Sequence, residues 1–260
     1  MYKLDEFFSV LDRYAPLKIS HKMIEKGDYD NSGIIVKCLD EVKSVLFSLD
    51  LSKLAVEKAK ACGCDTIVTH HPAIYQPIKS LKFDSDTAPL VCAVMNGMNV
   101  ISMHLNLDMA EFGIDYYLAK ALGATKENTL DYIDDGVGYG REFDLSTSVR
   151  DLVKKLSNEL NTDKIIAYGK GEVKKVASFC GGGASYALKF VESNIATADT
   201  IVTSDMPHHV IKELIERDKK IIIIPHYVSE EIGFSKFYEE IKKQMGNKIQ
   251  TYYFDDKRFR

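Results

Sequence analysis

The chain has 260 residues, of which 45% are hydrophobic and 28% charged, and its formal net charge at pH 7 is -4. This composition is typical of a globular protein with one large or two smaller domains, and the charge gives no electrostatic footprint for a nucleic acid partner. No apolar run approaches the roughly 20 residues that would cross a bilayer, so no membrane association is expected. Five cysteines cannot all pair within one chain, which favours reduced thiols in a cytoplasmic protein.

The first half of the chain alternates between predicted helices and strands. Residues 1–16 carry acids inside an apolar pattern, which predicts an amphipathic helix and not a signal peptide. A strand over 42–50 is followed by a helix over 51–63, which Gly63 ends. A second strand leads into His70, and an apolar helix then ends near Gly97. This alternation favours an α/β fold.

The second half continues the alternation after a region rich in acids and glycines, residues 126–148, which suggests a crossing between two lobes. Helices are predicted over 148–160, 184–196 and 208–217, with strands over 164–168, 174–180 and 199–205. A last buried strand precedes a C-terminal helix. The five residues "DTIVT" occur at 65–69 and again at 199–203, which hints at two related halves.

The stretch "TIVTHHP" ends a predicted strand with two adjacent histidines. Successive side chains of a strand point to opposite faces, so His70 and His71 cannot serve one site while the chain stays extended. Pro72 restricts His71 and cannot donate a ladder hydrogen bond. The pair is therefore expected where the strand breaks into a loop, so that both rings can turn towards one point.

Two further segments place polar side chains beside apolar strands. Within "NVISMHLNLD", residues 99–108, alternation along a strand puts His104 and Asp108 on one polar face. After the isoleucines of "IIIIPHYVSEE", His226 and Glu230 are four residues apart, which places them on one face of a helix.

Ligands of open α/β sheets collect outside the carboxyl ends of strands, so these histidines and carboxylates predict a dinuclear cation site there. Each residue taken alone has a simpler explanation. His226 is compatible with a hydrogen-bonded loop residue, Asp108 with a helix cap or turn, and Glu230 with an acid favoured by the helix dipole. The glycine turn at 181–183 fits a tight strand-to-helix turn or a phosphate cradle equally well.

The ordered motifs resemble the NGG-interacting-factor-three family, whose bacterial members are named GTP cyclohydrolase I type 2 homologues. The family pattern has His-His-Pro, then His-x-x-x-Asp, then a C-terminal His-x-x-x-Glu. The residues that match these motifs are His70-His71-Pro72, His104 to Asp108, and His226 to Glu230. The segments "DNSGIIV", "GVGYG", "CGGGA" and "TSD" support the match over nearly the whole chain. Ser204, Pro225 and Ser229 depart from the family pattern without removing a ligand.

The resemblance implies two divalent metal ions, Zn, Fe or Mn, in a short form of the family. The implied metal ligands are His70, His71, Asp108, His226 and Glu230, with Glu230 bridging the ions. His104 is expected beside the metals, either as a residue that supports the metal ligands or as a catalytic residue, and the resemblance puts His209 near the mouth of the site. The family also implies a homo-oligomer, a hexamer.

The ligands must meet although over a hundred residues separate them, which predicts two similar, intertwined α/β lobes. Residues 1–125 with 225–260 form the expected metal-binding lobe, and 126–224 form the inserted lobe. Two divalent ions against two carboxylates leave a net positive centre, which favours a small anionic substrate such as a nucleotide and hydrolysis by metal-activated water. The alternative is a non-enzymatic module that binds metal or another protein.

Overall fold

The structure is a computed structural model that describes residues 2–134 and 136–260. Its strands are β1 (Tyr2–Lys3), β2 (Gly33–Val36), β3 (Glu41–Val42), β4 (Ser44–Ser48), β5 (Thr66–Thr69), β6 (Asn99–Ser102), β7 (Asn128–Asp134), β8 (Val137–Ser148), β9 (Ile166–Tyr168), β10 (Glu172–Ser178), β11 (Thr200–Thr203), β12 (Lys220–Ile223) and β13 (Gln250–Phe254). Its α-helices are α1 (Leu4–Tyr14), α2 (Leu17–Glu25), α3 (Lys53–Ala61), α4 (Ala88–Met95), α5 (Leu105–Met109), α6 (Ile114–Leu122), α7 (Val149–Glu159), α8 (Ala184–Glu192), α9 (His208–Ile215) and α10 (His226–Met245). A short 3₁₀ helix spans Lys257–Phe259.

Contacts divide the chain into two compact units. Unit 1 comprises the residues up to Leu107 together with Phe234–Asp256, and unit 2 comprises Asp108–Gly233 with Lys257–Arg260. The bounds differ from those of the predicted lobes, because 108–125 and 225–233 pack within unit 2. Helix α6, for example, packs against α7 and β8 of that unit.

Unit 1 contains a five-stranded sheet in the order β13-β4-β5-β6-β2. The first four strands are parallel, and β2 is antiparallel to β6 at the edge. One face of the sheet packs on α3 and α4 through a buried cluster that includes Leu46, Val56, Ile67, Ala93 and Val100. Residues on the other face, such as Phe47 and Val68, are also fully buried, as expected for parallel strands covered on both sides.

Unit 2 contains a six-stranded sheet in the order β7-β8-β10-β11-β12-β9. Strands β10, β11 and β12 are parallel, while β8 and β9 run antiparallel beside them and β7 pairs antiparallel with β8. Both units thus have a parallel centre with antiparallel strands at an edge, and the chain has a mixed α/β fold. No helix in the described part of the chain is both long and apolar enough to cross a membrane.

The repeated "DTIVT" occupies the same place in each unit. Strand β5 is the middle of the parallel set β4-β5-β6, and β11 is the middle of β10-β11-β12. The aspartate before each strand accepts a main-chain N–H from the neighbouring segment, Asp65 from Lys43 at 2.9 Å and Asp199 from Lys174 at 3.2 Å. The sequence repeat therefore marks two structurally corresponding strands.

Two predicted elements were wrong. The strand predicted over 99–108 ends at Ser102, because the Met103 N–H donates to the Thr69 carbonyl at 2.8 Å and the chain then turns into α5. Residues 103–108 therefore do not form a strand with one polar face. Asn106 and Leu107, which alternation would put on opposite faces, are both buried in α5.

The suggested crossing over 126–148 is instead an antiparallel pair, β7 and β8. Gly138 and Gly140 belong to β8, where a Cβ at Gly138 would overlap with the Asp131 carbonyl oxygen. Glycine at these positions allows β8 to approach its neighbours closely, and it does not mark a turn as the sequence had suggested.

Candidate metal-binding residues

The first candidate ligands lie where β5 ends. The backbone N–H groups of His70 and His71 both donate to the Leu49 carbonyl, at 3.1 and 3.0 Å, and the Thr69 hydroxyl donates to the His71 carbonyl at 2.8 Å. These bonds break the extended conformation immediately after the strand. The two imidazole centroids lie 4.9 Å apart as a result.

Each of these imidazoles is held through Nδ1. His70 Nδ1 lies 2.8 Å from the Met103 carbonyl oxygen, and His71 Nδ1 lies 2.7 Å from Asp50 Oδ1. Because a carbonyl or carboxylate oxygen can only accept, Nδ1 carries the hydrogen and Nε2 is the nitrogen suited to a metal. His70 is fully buried, whereas the His71 side chain is about a quarter exposed.

His104 belongs to the same cluster in unit 1. Its ring centroid lies 5.3 Å from that of His70 and 5.9 Å from that of His71. Its Nδ1 lies 2.7 Å from Oδ1 of the buried Asp30, whose other oxygen accepts from the hydroxyls of Ser20 and Ser32. Burial opposes the ionisation of Asp30, but the bond and charge of His104 and the two hydroxyls outweigh it and lower its pKa to about 2.

In unit 2, His226 begins α10 and Glu230 follows one turn later. His226 Nε2 lies 2.9 Å from Glu230 Oε1, so the predicted spacing of four places both side chains together. Nδ1 of His226 is bonded to Asp205. The Glu230 carboxylate is buried, and Ser229 beside it accepts a bond from the Gly181 N–H at 3.0 Å.

The glycine turn lies against this carboxylate. Gly181 has a φ of +55°, and a Cβ built there would overlap with Glu230 Oε1. A Cβ at Gly182 would meet nothing within 4 Å. Position 181 therefore requires glycine both for its backbone conformation and for the close approach of Glu230.

Asp108 lies in unit 2 beside a buried thiol. Cys180 Sγ donates to Asp108 Oδ1 at 3.4 Å, and the Cys180 N–H donates to Asp115 at 3.1 Å. Burial, together with the negative charges of Asp108, Asp115 and Glu230, raises the pKa of Cys180 well above its usual range. Burial also raises the pKa of Asp115 from 3.8 to about 6, although Arg141 opposes the shift. Cys180 is therefore a neutral donor to Asp108.

The structure thus brings together the predicted residues in two sets, His70, His71 and His104 in unit 1, and His226 with Glu230 in unit 2. The side chains whose placement would allow them to hold a metal ion are His70, His71, His104, Asp108 and Glu230. Buried and partly buried imidazole and carboxylate donors of this kind suit Zn, Fe or Mn. His209 is exposed at the start of α9.

Sequence patterns did not predict the residues that hold the imidazoles, Asp30, Asp50 and Asp205. A signal was present for two of them. Asp50 and Asp205 each stand two residues after a buried parallel strand, β4 and β11. Applying the rule of strand carboxyl ends to every strand would have found both.

The chain is similar to proteins of one family over nearly its whole length. A model of the family described as Duf34/NIF3 (NGG1p interacting factor 3) matches residues 2–257. A Clostridium perfringens protein named GTP cyclohydrolase 1 type 2 homolog is 24% identical over 256 residues, which cover 95% of this chain and 94% of the relative. NGG1-interacting factor 3 of Saccharomyces cerevisiae is 24% identical over 253 residues, 86% of this chain and 85% of that protein.

Solved structures share the fold. The structure of a Bacillus cereus protein related to NIF3 superposes with a TM-score of 0.85 and 17% sequence identity, and the match covers 98% of this chain and 97% of that one. A Thermus thermophilus protein, TTHA1606, gives a TM-score of 0.79 at 22% identity, with 98% of each chain covered. These similarities show a mixed α/β fold of the NIF3 type.

Proposed function

The chain belongs to the Duf34/NIF3 family, and on that premise we propose that it is a metal-dependent hydrolase acting on a nucleotide or another phosphorylated molecule. The proposed ligands of two divalent ions are His70, His71, Asp108, His226 and Glu230. The observation that carries the proposal is the turn after β5, where one carbonyl oxygen holds two adjacent histidines with their rings 4.9 Å apart.

The donor set fits such ions. Imidazole nitrogen suits Zn or Fe, and carboxylate oxygen can bridge two ions. When bound, a pair of ions supplies activated water at neutral pH and attracts the oxygens of an anionic substrate. Glu230, which is buried and lies against Gly181, would contribute its carboxylate to the ions.

Charge favours an anionic substrate. Two divalent ions bring four positive charges, and the two proposed carboxylates, Asp108 and Glu230, neutralise two of them. The remaining positive charge favours a phosphate or carboxylate group on the substrate.

An aromatic pair beside His104 favours a substrate with a planar ring. Tyr29 and Tyr75 pack edge to face with centroids 5.1 Å apart, and Tyr75 lies 5.9 Å from the His104 ring. Both tyrosines are almost half exposed. Stacking of a base on an exposed aromatic ring contributes roughly 1–3 kcal/mol, which would select a nucleotide over an aliphatic phosphate.

His104 has the surroundings of a group that accepts or donates a proton. The ionised Asp30 holds its Nδ1, which leaves proton transfer to Nε2. We assign His104 this role in the proposed hydrolysis. Asp30 keeps the ring in one orientation while it does so.

The test combines metal analysis with turnover. Protein stripped of metal and reloaded with Zn, Mn or Fe should carry about two equivalents per chain, as a two-metal site requires. The loaded protein should convert at least one nucleotide in a chromatographic screen that includes GTP. Asp108→Ala should lower that rate by about 10²-fold or more, because the substitution removes a ligand.

The matched control is Asp163→Ala, which removes an exposed aspartate from the same unit. It should keep metal content and turnover. Two bound equivalents without turnover of any nucleotide or other phosphorylated molecule would reject the hydrolase and leave a metal-binding protein. Absence of metal binding by the wild type would reject the site itself.

A further inference from the structure

We propose that Asp50 and Asp205 are positioning residues that present Nε2 of His71 and His226 to the metal ions. The proposal rests on the proposed function, since it concerns two of its ligands. Asp50 Oδ1 lies 2.7 Å from His71 Nδ1, and Asp205 Oδ2 is bonded to His226 Nδ1. Each unit thus has a carboxylate at Nδ1 of one proposed ligand. At His226, Nε2 also lies 2.9 Å from Glu230 Oε1, a contact that a bound ion would replace.

The chemistry of imidazole explains the effect. A neutral imidazole carries its hydrogen on one nitrogen and a lone pair on the other. A carboxylate bonded at Nδ1 keeps the hydrogen there, so that the lone pair is at Nε2, and it also makes the ring a stronger donor to a metal. Without this partner, the ring can rotate or exchange its two nitrogens. Part of the free energy of metal binding would then be spent on fixing the orientation of the ring.

The backbone around Asp50 is fixed by local bonds. Its carbonyl accepts from the Ser48 hydroxyl at 2.8 Å and from the Ser52 N–H at 3.1 Å. The preceding carbonyl, that of Leu49, accepts the N–H groups of both adjacent histidines. The carboxylate of Asp50 and the ring that it holds are therefore positioned by the same short segment after β4.

Asp205 reaches its histidine from a less common backbone conformation. Its φ is +46°, in the left-handed region that most residues avoid. A residue with an ordinary conformation at this place would direct its side chain elsewhere. The observed backbone is therefore consistent with a functional constraint on the direction of this carboxylate.

Stability alone does not account for these two contacts. The Asp50 and Asp205 side chains are 37% and 60% exposed, and hydrogen-bonded pairs at such positions contribute little to folding. His70 differs, because its Nδ1 donates to the main-chain carbonyl of Met103. Of the three proposed histidine ligands, His71 and His226 can therefore be tested by changing the side chain of the aspartate that holds them.

The experiment uses Asp50→Asn and Asp205→Asn in the full chain, with Zn²⁺ as the probe. Asparagine keeps the shape of aspartate and tolerates the left-handed conformation at 205, where alanine would add strain. Its NH₂ group can also turn towards Nδ1 and select the wrong tautomer. Asp84→Asn and Asp163→Asn, which change exposed aspartates, are the controls for units 1 and 2.

Zinc affinity is measured by competition with a chromophoric chelator on metal-stripped protein. Each positioning variant should bind zinc about 10- to 100-fold more weakly, and the controls should stay within about 2-fold of the wild type. Thermal unfolding of the metal-free variants should match the wild type, because the contacts are exposed. Nitrogen-15 spectra of zinc-loaded protein should show hydrogen on Nδ1 of His71 and His226.

The outcomes separate this inference from the function on which it rests. Zinc binding by the wild type with unchanged affinity in both variants would overturn the positioning role and leave the metal site standing. Hydrogen on Nε2 of either histidine in the loaded wild type would also overturn it. Failure of the wild type to bind zinc would overturn the metal site and, with it, this inference.

Discussion

The same strand, Thr-Ile-Val-Thr, ends differently in the two units. In unit 1 it continues into His70 and His71, whose N–H groups donate to the Leu49 carbonyl. In unit 2 it continues into Ser204 and Asp205, and the Ser204 N–H donates to the Gly181 carbonyl at 3.2 Å. The strands are buried alike, and both are followed by a backbone bond to the neighbouring segment. The two strand ends therefore share a backbone arrangement and differ in the side chains that follow it, two histidines in unit 1 and Ser204-Asp205 in unit 2.

His70 and Ser204 occupy corresponding positions with opposite consequences. Both are fully buried, and the His70 ring is anchored through Nδ1 to a carbonyl oxygen. Ser204 Oγ has no hydrogen-bond partner among the described residues. A buried hydroxyl without a partner costs about 1–3 kcal/mol. The serine therefore adds a buried polar group that this part of unit 2 does not satisfy.

The largest effect is expected from removing a histidine of the first strand end. His70→Ala and His71→Ala should each lose about one metal equivalent by elemental analysis, because each removes a proposed ligand. The fold should remain, since β5 is stabilised by Ile67 and Val68.

Ser204→Ala is the matched variant at the second strand end. It should keep both equivalents and leave stability equal to or up to about 1 kcal/mol above the wild type, because it removes an unsatisfied hydroxyl. Loss of metal from the serine variant as large as that from the histidine variants would remove the distinction between the two strand ends.

A smaller effect is expected at Gly181, whose carbonyl accepts the Ser204 N–H. Gly181→Ala should lower the free energy of unfolding by about 2 kcal/mol or more, since it adds a Cβ at a positive φ and displaces Glu230. It should also reduce metal content. Gly182→Ala, where the added Cβ meets open space, should change both by much less. Urea unfolding of the two variants decides the matter, and equal losses would contradict the close contact.

The smallest expected effect is a pH dependence of the free energy of unfolding. It should have opposite signs for two buried aspartates, Asp30 in unit 1 and Asp115 in unit 2. The folded state lowers the pKa of Asp30 from 3.8 to about 2, so Asp30 stabilises the protein above about pH 4 and that contribution disappears as the pH falls towards 2. Asp30→Asn should therefore cost about 2 kcal/mol at pH 5 to 6 in metal-free protein and progressively less below about pH 4. Urea unfolding at several pH values measures this.

The contribution of Asp115 to stability should change with pH in the opposite direction to that of Asp30. Its pKa is raised from 3.8 to about 6, so the folded state favours its protonated form and its contribution falls as the pH rises from about 4 to 6. The difference between wild type and Asp115→Asn should change in the reverse direction over that interval. Parallel slopes for the two variants would contradict the assignment of their environments.

The sequence was sufficient for the α/β class, for the correspondence of the two "DTIVT" strands and for the spacing of His226 and Glu230. These follow from local patterns, namely apolar runs, glycine ends and helical periodicity. It was misleading at 99–108, because alternation continues past Ser102 although the Met103 N–H already bonds to Thr69 and the chain turns. Alternation alone cannot tell where a ladder of hydrogen bonds ends.

The polar groups around the histidines were harder to predict. Asp30 contacts His104 across 74 positions of sequence, and Asp50 contacts His71 across 21. No local pattern encodes which carboxylate reaches which ring, because that depends on strand order. The same holds for Gly181, whose neighbour Glu230 comes from another element.

The single carbonyl of Leu49 also limits how this motif can change during evolution or be moved to another protein. Since one oxygen anchors both histidines and the next residue orients one of them, His-His-Pro cannot be transplanted as three residues. The smallest portable unit is two parallel strands with Leu49-Asp50 at the end of one and the histidines at the end of the other. An insertion at either strand end would displace both rings at once, so lengthening is more easily tolerated in the exposed residues 76–84.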